Sequence, residues 1–283
     1  MIPDGILRIF PRKTKATPTD AMAAIGQPSR KWIDAHDIRE AHVSVTFTWD
    51  IPKAEEIAER LAKWGVPVDI GGPAYGDRMG DFVPGMYIRD GYIFTSRGCP
   101  SDCWFCSVAE CARGQIRELP IYDGYNILDD NILATSKDHF AEVIKMLKRQ
   151  KERPIFTGGI EAALLTPWHA QLMKEVRTKR LFCAYDMPAD YEPLVQAGRI
   201  LRDAGFTVKS HELGCYVLIG YREDTFDAAE KRLIDTIKAG FTPFAMLYRD
   251  KDGFVDKEWR AFQREWCAPQ IVGAKMREYG GKL

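Results

Sequence analysis

Four of the chain's seven cysteines fall within residues 98–111, GCPSDCWFCSVAEC, and three of them are spaced Cys99-x3-Cys103-x2-Cys106. Thiolates are soft ligands, and three of them a few residues apart point to a metal centre or to catalysis before they point to packing. Three readings suit the motif. Structural zinc normally takes four Cys or His ligands, often from two Cys-x2-Cys knuckles; no second knuckle exists here, and His36, His42, His139, His169 and His211 are isolated. A disulfide requires an oxidising compartment. An iron-sulfur cluster accepts thiolates from a tight loop, and this spacing would hold three irons of a 4Fe-4S cube while leaving the fourth open to substrate or cofactor. Cys111, five residues on, would then cover the centre, donate a thiol hydrogen in the chemistry, or complete a closed four-ligand site. Cys183 and Cys215 lie in apolar runs and read as buried small hydrophobes, and Cys267 has no evident partner.

Regular elements must hold such a loop. Ile6 to Phe10 reads as a short strand, followed by an extended connection through a Thr-Pro-Thr stretch to about Ser29. HVSVTFTW, His42 to Trp49, alternates apolar and polar with β-branched residues, the pattern of a half-buried strand. Asp50 and Pro52 then open the amphipathic helix AEEIAERLAKWG, which stops at Gly65 before a second strand, VPVDIGG. Strand, helix and strand with short connections predict a βαβ unit with a parallel pair. The Gly-rich stretch from Gly71 to Gly85 predicts a linker or a loop over a site.

From Gly91 the apolar runs GYIFTSR, YNILDDN, RPIFTGGIE, RLFCAYD, CYVLIGY and FTPFAMLYR have strand length, and helical patterns lie between them. Six strands with intervening helices predict an α/β fold of the (β/α)6 partial TIM barrel kind. The expected organisation is a small N-terminal α/β region over 1–88, the core over 89–250 and a C-terminal helical extension over 251–283. In that extension Trp259, Phe262 and Trp266 recur at helical spacing and read as core packing. Parallel β/α architectures bind ligands at the C-terminal ends of their strands, so Arg97, Asp130, Asn131, Glu161, Asp186, Tyr221 and Arg249 are expected to ring one mouth, unless each merely caps a helix.

Composition narrows the classes. Hydrophobic residues at 46% and charged residues at 28% are globular values, and no apolar run approaches the ~20 residues of a membrane span. The beginning, MIPDGILRIFPRKTK, lacks the apolar core of a secretory signal, so a soluble protein of the reducing cytoplasm is expected, with no membrane partner. Forty basic and forty acidic side chains cancel, which removes any global field toward nucleic acid. Locally, Arg8, Arg12, Lys13 and Lys15 cluster around Pro11, either as a solvated face or as contacts to a phosphate backbone.

Cys99-x3-Cys103-x-Phe105-Cys106, with an aromatic just before the last cysteine and placed after the first strand of a (β/α)6 pattern, resembles the signature of the radical SAM enzymes. The resemblance covers about residues 90–250; the N-terminal piece is similar to a shortened cobalamin-binding-like half. It implies one 4Fe-4S cluster on Cys99, Cys103 and Cys106, with S-adenosylmethionine (SAM) chelating the open iron. An electron, from a donor such as a flavodoxin or ferredoxin, would split SAM into methionine and a 5′-deoxyadenosyl radical that abstracts hydrogen from the substrate. By position, Phe105 flanks the cofactor, Asp130 or Asn131 meets the SAM amino group, and Glu161 of Gly158-Gly159-Ile160-Glu161 is a second choice for it or faces substrate. Asp186 meets the ribose, and Tyr221, Leu247 and Tyr248 lie near adenine, although Tyr221-Arg222 replaces the family's usual Pro-Gly. Cys111, Glu161 and Tyr221 are the candidates for returning a hydrogen to product.

With no second cysteine triad, auxiliary clusters are not expected, and the cobalamin-binding pattern is missing. The expected enzyme is an isomerase, lyase or other transferase acting at a C–H bond. The run from LRIFPRKTKATPTD through HVSVTFTWD to LDDN and MLYRD is similar to bacterial and bacteriophage members of the superfamily, which makes a modified nucleobase in DNA the first substrate expectation and a small metabolite the second. The competing classes are a non-enzymic iron-sulfur or zinc module and, less supported because VDIGGPAYG is not a dinucleotide fingerprint, a nucleotide-binding regulator.

Overall fold

The computed structural model describes residues 4–77, 79–208 and 211–280 and is mixed α/β with parallel sheets. By contacts the chain divides into two units, Met1–Gly124 and Tyr125–Leu283. Among the described residues no helix is long and apolar enough to cross a membrane.

The first unit is built on a four-stranded parallel sheet of β1 (Ile6–Phe10), β2 (Ala23–Ile25), β3 (Glu40–Ser44) and β4 (Val68–Gly71), in the order β2-β1-β3-β4. The short helix α1 (Arg30–Asp34) and the longer α2 (Ile51–Lys63) lie among them. The predicted βαβ unit is therefore β3-α2-β4, and two strands are added to it. β2 falls inside what reads as an extended connection: three residues, two of them alanine, carry no alternation. One sheet face holds Leu7, Ile9, Ala41, Val43 and Val45 against Ala54, Ile57 and Leu61 of α2 in a single buried cluster. Spacing of three and four residues puts those α2 positions on one stripe, and each large apolar side chain so buried contributes about 1.5–3 kcal/mol. Asp50, at the N-cap position, does not cap α2 with its side chain. Both of its oxygens accept from Arg12, Oδ2 from Nε at 2.8 Å and Oδ1 from Nη2 at 2.7 Å. The unit ends with β5 (Tyr92–Ile93), β6 (Ser96–Gly98), α3 (Ser107–Ala112) and β7 (Ile116–Glu118), so the run GYIFTSR is two short pieces rather than one strand.

The second unit alternates strand and helix: β8 (Asn126–Ile127), α4 (Lys137–Lys148), β9 (Ile155–Phe156), α5 (Pro167–Glu175), β10 (Arg180–Ala184), α6 (Tyr191–Asp203), β11 (Leu213–Ile219), α7 (Phe226–Lys238) and β12 (Thr242–Leu247). Neighbours in sequence are neighbours in the sheet, and all four pairings are parallel. Ser136, Thr166 and Thr225 start α4, α5 and α7 by accepting a backbone N–H on their side chains. Two further helices follow, α8 (Lys257–Cys267) and α9 (Pro269–Tyr279). Trp266 of α8 is fully buried, and Trp259 and Phe262 meet Phe226 at ring separations of 4.3 and 5.5 Å, so the aromatic stripe is packing. The exposed edge of β12 is also blunted by α8: Ala245 O accepts from Gln263 Nε2 at 3.0 Å and from Cys267 Sγ at 3.7 Å, which supplies the partner that sequence left Cys267 without.

The C-terminal end of β11 is held by a buried ion pair. Arg232 Nη2 donates to Asp224 Oδ2 at 2.8 Å and to Leu218 O at 2.9 Å, and the same Asp224 oxygen accepts the Gly220 N–H at 2.8 Å. The two side chains are 7% and 0% exposed. Removing one member strands the other charge away from water. Arg232→Met is expected to lower unfolding stability by about 3–5 kcal/mol, read as a shift of the urea midpoint at unchanged slope; a loss below about 1 kcal/mol would show that the pair behaves as a surface bridge.

Candidate functional site

In the first unit the cysteine segment is a closed excursion. β6 pairs antiparallel with β7, Ser96 opposite Glu118 and Gly98 opposite Ile116, so residues 99–115 leave and return at one place. Gly98 makes that closure possible: its φ is +92°, and a Cβ there would lie 2.1 Å from Gln115 O. Within the excursion the Cys106 N–H donates to Cys103 O at 2.9 Å, and Cys106 becomes the N-cap residue of α3. Cys99, Cys103, Cys106 and Cys111 are all partly exposed, and no cysteine of the chain is in a disulfide. Trp104 is 56% exposed, and Phe105 meets it edge-on at 5.4 Å. Cys111 Sγ donates to Gly76 O at 3.7 Å, inside the Gly-rich stretch that reads as a loop over a site. Arg97, expected at a mouth, stacks its guanidinium 3.4 Å from the centre of the Phe94 ring.

The donors fit a thiolate-held metal group in kind: three partly exposed thiols outside disulfides, on a segment tied at both ends. They are not gathered around one point, since among the described residues no group of three or more Cys, His, Asp or Glu side chains is placed to hold a metal.

The second unit brings part of the expected strand-end set together. After β8, Asp129 and Asn131 are buried and Asp130 is half-buried. Asn131 Nδ2 donates to Glu161 Oε2 at 2.7 Å, so two residues from successive strand ends meet. Gly158 permits the approach, because a Cβ there would lie 2.1 Å from Asp129 O. After β10, Asp186 Oδ1 accepts the Leu218 N–H at 2.7 Å, taking the ladder position that β10, ending at Ala184, no longer supplies. Burial pushes the Asp186 carboxyl up to about 6; the Leu218 N–H opposes the rise, Asp190 adds to it, and Arg232 opposes it. Such a group is part acid and part carboxylate near neutrality, able to donate to or accept from a hydroxyl.

Tyr221 stands with its ring 5.3 Å from the Arg232 guanidinium. The Tyr248 N–H donates to Ile219 O at 2.9 Å, and a Cβ on Gly220 would touch Leu247 Cδ1 at 2.8 Å, so Leu247 and Tyr248 flank the end of β11. Arg249 is exposed.

The basic N-terminal cluster needs correction. Arg8 is 1% exposed and cannot reach a phosphate backbone: Nη1 donates to Gly85 O at 2.8 Å and Met86 O at 3.2 Å, and Nη2 pairs with Asp20. It alternates with the apolar positions of β1, so it points to the sheet face opposite the α2 core and must be paired there. Arg12 is committed to Asp50. Lys13 and Lys15 alone are exposed without that constraint.

Two groupings had no clear sequence signal. On the polar side of the first sheet, His42 Nδ1 shares a hydrogen with Tyr87 OH at 2.7 Å and Nε2 shares one with Glu40 Oε1 at 2.7 Å. Only the i, i+2 spacing of Glu40 and His42 on one strand face hints at it. In the second unit, Phe182, Ala184, Tyr216, Leu218, Phe244 and Met246 share the sheet face opposite the fully buried Cys183, Cys215, Val217, Ile219 and Ala245, and Phe244 and Met246 remain 41% and 42% exposed. The runs RLFCAYD and FTPFAMLYR are apolar at both parities, which hides the open face.

No protein-family model matches the chain. No curated protein matches it either.

Asp186 generates a pH prediction. Its folded pKa lies above the ordinary carboxylate value, so the folded state holds the proton more tightly than the unfolded state, and stability falls as pH rises from about 4 to about 6. Asp186→Asn keeps an acceptor for the Leu218 N–H without the charge. The variant is expected to gain on wild type by on the order of 2–3 kcal/mol between pH 4 and 7 in urea titrations; parallel pH profiles would contradict the buried-acid account.

Proposed function

We propose that this chain is a radical SAM enzyme with one 4Fe-4S cluster on Cys99, Cys103 and Cys106, working in a (β/α)6 partial-barrel arrangement on a small molecule or a single nucleobase. The observation that carries the reading is the cysteine excursion: three partly exposed thiols at the x3, x2 spacing, outside disulfides, on a segment closed by β6 and β7. The run of four parallel βαβ units in the second unit agrees with the architecture such enzymes use. Cys111, outside the x3, x2 triad, donates to Gly76 O at 3.7 Å.

When bound, the cluster supplies one-electron cleavage of SAM to methionine and a hydrogen-abstracting 5′-deoxyadenosyl radical, given an electron donor of flavodoxin or ferredoxin type. The chain's own groups bind and orient. Glu161, fixed by Asn131, offers a carboxylate suited to an ammonium, and Asp186 offers a carboxyl suited to a diol. Phe105 and Trp104, edge-on at 5.4 Å, are the aromatic side chains that would flank the bound group. With Arg8 buried and Arg12 paired, Lys13 and Lys15 are a short track for a duplex backbone, which supports a substrate of nucleotide size or smaller over recognition of long DNA.

The test is anaerobic. The protein is reconstituted with iron and sulfide, reduced with dithionite and given SAM, and 5′-deoxyadenosine is measured for wild type and Cys103→Ala. Product from the wild type alone is expected. A protein that takes up no 4Fe-4S cluster, or that does not bind SAM once loaded, overturns the reading.

A further inference from the structure

Two turns at the end of the second unit's sheet opposite to Asn131, Glu161 and Asp186 carry a surplus of positive charge. Each leads from a helix into the start of a strand, residues 149–154 from α4 into β9 and residues 176–179 from α5 into β10. With the helix ends that feed them, KMLKRQKER (145–153) holds five basic side chains and one acidic one, and KEVRTKR (174–180) holds four and one, in a chain whose total charge is zero. The turns are tied to each other. Arg153 reaches from the first to the second, its Nε donating to Arg177 O at 2.8 Å and its Nη2 to Thr178 O at 3.2 Å, and the Lys179 N–H donates back to Pro154 O at 2.7 Å.

Part of that charge has a structural account. Lys145, Lys148 and Lys174 stand in the last turns of helices, where cations meet the negative end of the dipole. Lys148 also pairs with Glu175 at 3.0 Å, and Glu212 serves both Arg153 and Lys174, at 3.5 and 3.7 Å. Lys151, Arg177 and Lys179 have no such account. They are exposed, they lie beyond the last helical turns, and among the described residues no carboxylate pairs with them. Arg177 also holds a φ of +57°, one position past a helix end where Gly or Asn is the easy choice, and the Arg153 bond to its carbonyl braces it there. Cations on turns stitched together by the backbone repel one another, and a partner rich in negative charge relieves that repulsion. The neighbouring side chains select the partner. Neither stretch contains an aromatic residue on which an unstacked base could lie. Their apolar side chains Met146, Leu147 and Val176 are buried, which leaves no anchor for a protein interface. A duplex backbone asks only for cations.

We propose that Lys151, Arg177 and Lys179 hold the phosphate backbone of a DNA duplex without reading its sequence. The two ammonium groups act on phosphate oxygens as point charges, and the Arg177 fork takes two oxygens at once. The surface uses no cysteine and neither Lys13 nor Lys15, so it stands or falls apart from the cluster reading. Its hold is on backbone alone, which leaves the reacting group as small as the proposed function has it.

The probe is a fluorescein-labelled DNA duplex of about 24 base pairs, titrated with the full chain and read by fluorescence anisotropy between about 50 and 200 mM salt. Wild type is expected to bind in the micromolar range, with log K falling against log salt at a slope of about −3 or steeper, as counterions leave three or more phosphates. Lys151→Gln, Arg177→Asn and Lys179→Gln combined are expected to weaken binding about tenfold or more at the lower salt and to flatten the slope by about 2–3. Asn suits the left-handed position that Arg177 vacates. Lys257→Gln, Arg260→Gln and Arg264→Gln combined, which remove the same charge from exposed positions of α8, are expected to leave binding as in wild type. No binding at the lower salt, a slope shallower than about −2, unchanged affinity in a first variant that melts like wild type, or an equal loss in the α8 variant overturns the proposal. Displacement of the duplex by poly-L-glutamate at equal charge also overturns it, and makes an acidic polypeptide the occupant. Should the first variant not fold, Lys151→Gln with Lys179→Gln, a change at two exposed lysines, gives the same decision through a slope flattened by about 2.

Discussion

Parallel strands of unequal length end with backbone groups that the ladder no longer pairs, and the second unit is organised around satisfying them. β10 stops at Ala184 while β11 runs to Ile219, so the Leu218 N–H is met by Asp186 and its carbonyl by Arg232. Gly220 gives its N–H to Asp224, which in turn needs Arg232. An unpaired buried N–H or C=O costs as much as a lost hydrogen bond, so these side chains are obligatory before they are chemical. The same accounting separates structural from available polar groups. Asp224 is fully committed. Asp186 commits Oδ1 to the strand, and its raised pKa follows from being held there by geometry while largely removed from water.

That distinction is what sequence could not supply. The strand and helix runs from Tyr125 onward were readable because β-branched and aromatic clusters alternate with 3.6-period stripes, and the structure places a strand or a helix on each. The spacing of Cys99, Cys103 and Cys106 was equally visible. Invisible was the destination of each charge. Arg8 in a basic run looks like Lys13 or Lys15, yet its position on β1 turns it to the buried polar side, where Asp20 and two carbonyls take it up. Asp50 looks like a helix cap, and Arg12 claims it instead. β2 was missed because three small residues are held there by β1 and not by any preference of their own.

The open sheet face was hidden for a different reason. Periodicity reports burial only when the two faces of a strand differ in polarity, and here both are apolar. Cys183, Cys215 and Ala245 point toward helices, whereas Phe182, Tyr216 and Phe244 point away from them. The lone break in the pattern is Arg180, a charge opening an apolar strand. In a two-sided core it would have to meet a carboxylate; here its guanidinium lies 4.7 Å from the Phe182 ring centre, and among the described residues no carboxylate is paired with it.

The cysteine excursion uses a related economy. β6 and β7 fix both ends of the segment, and Gly98 lets the backbones close to a distance that a side chain would forbid. Ordering a loop costs entropy in proportion to the freedom it has left, and closing its ends in advance removes most of that cost before any ligand arrives. A metal group binding there would spend little of its affinity on folding the protein, unlike a zinc finger whose fold depends on its ion. The thiols are thus on a segment whose two ends are joined by the polypeptide's own β6–β7 pairing.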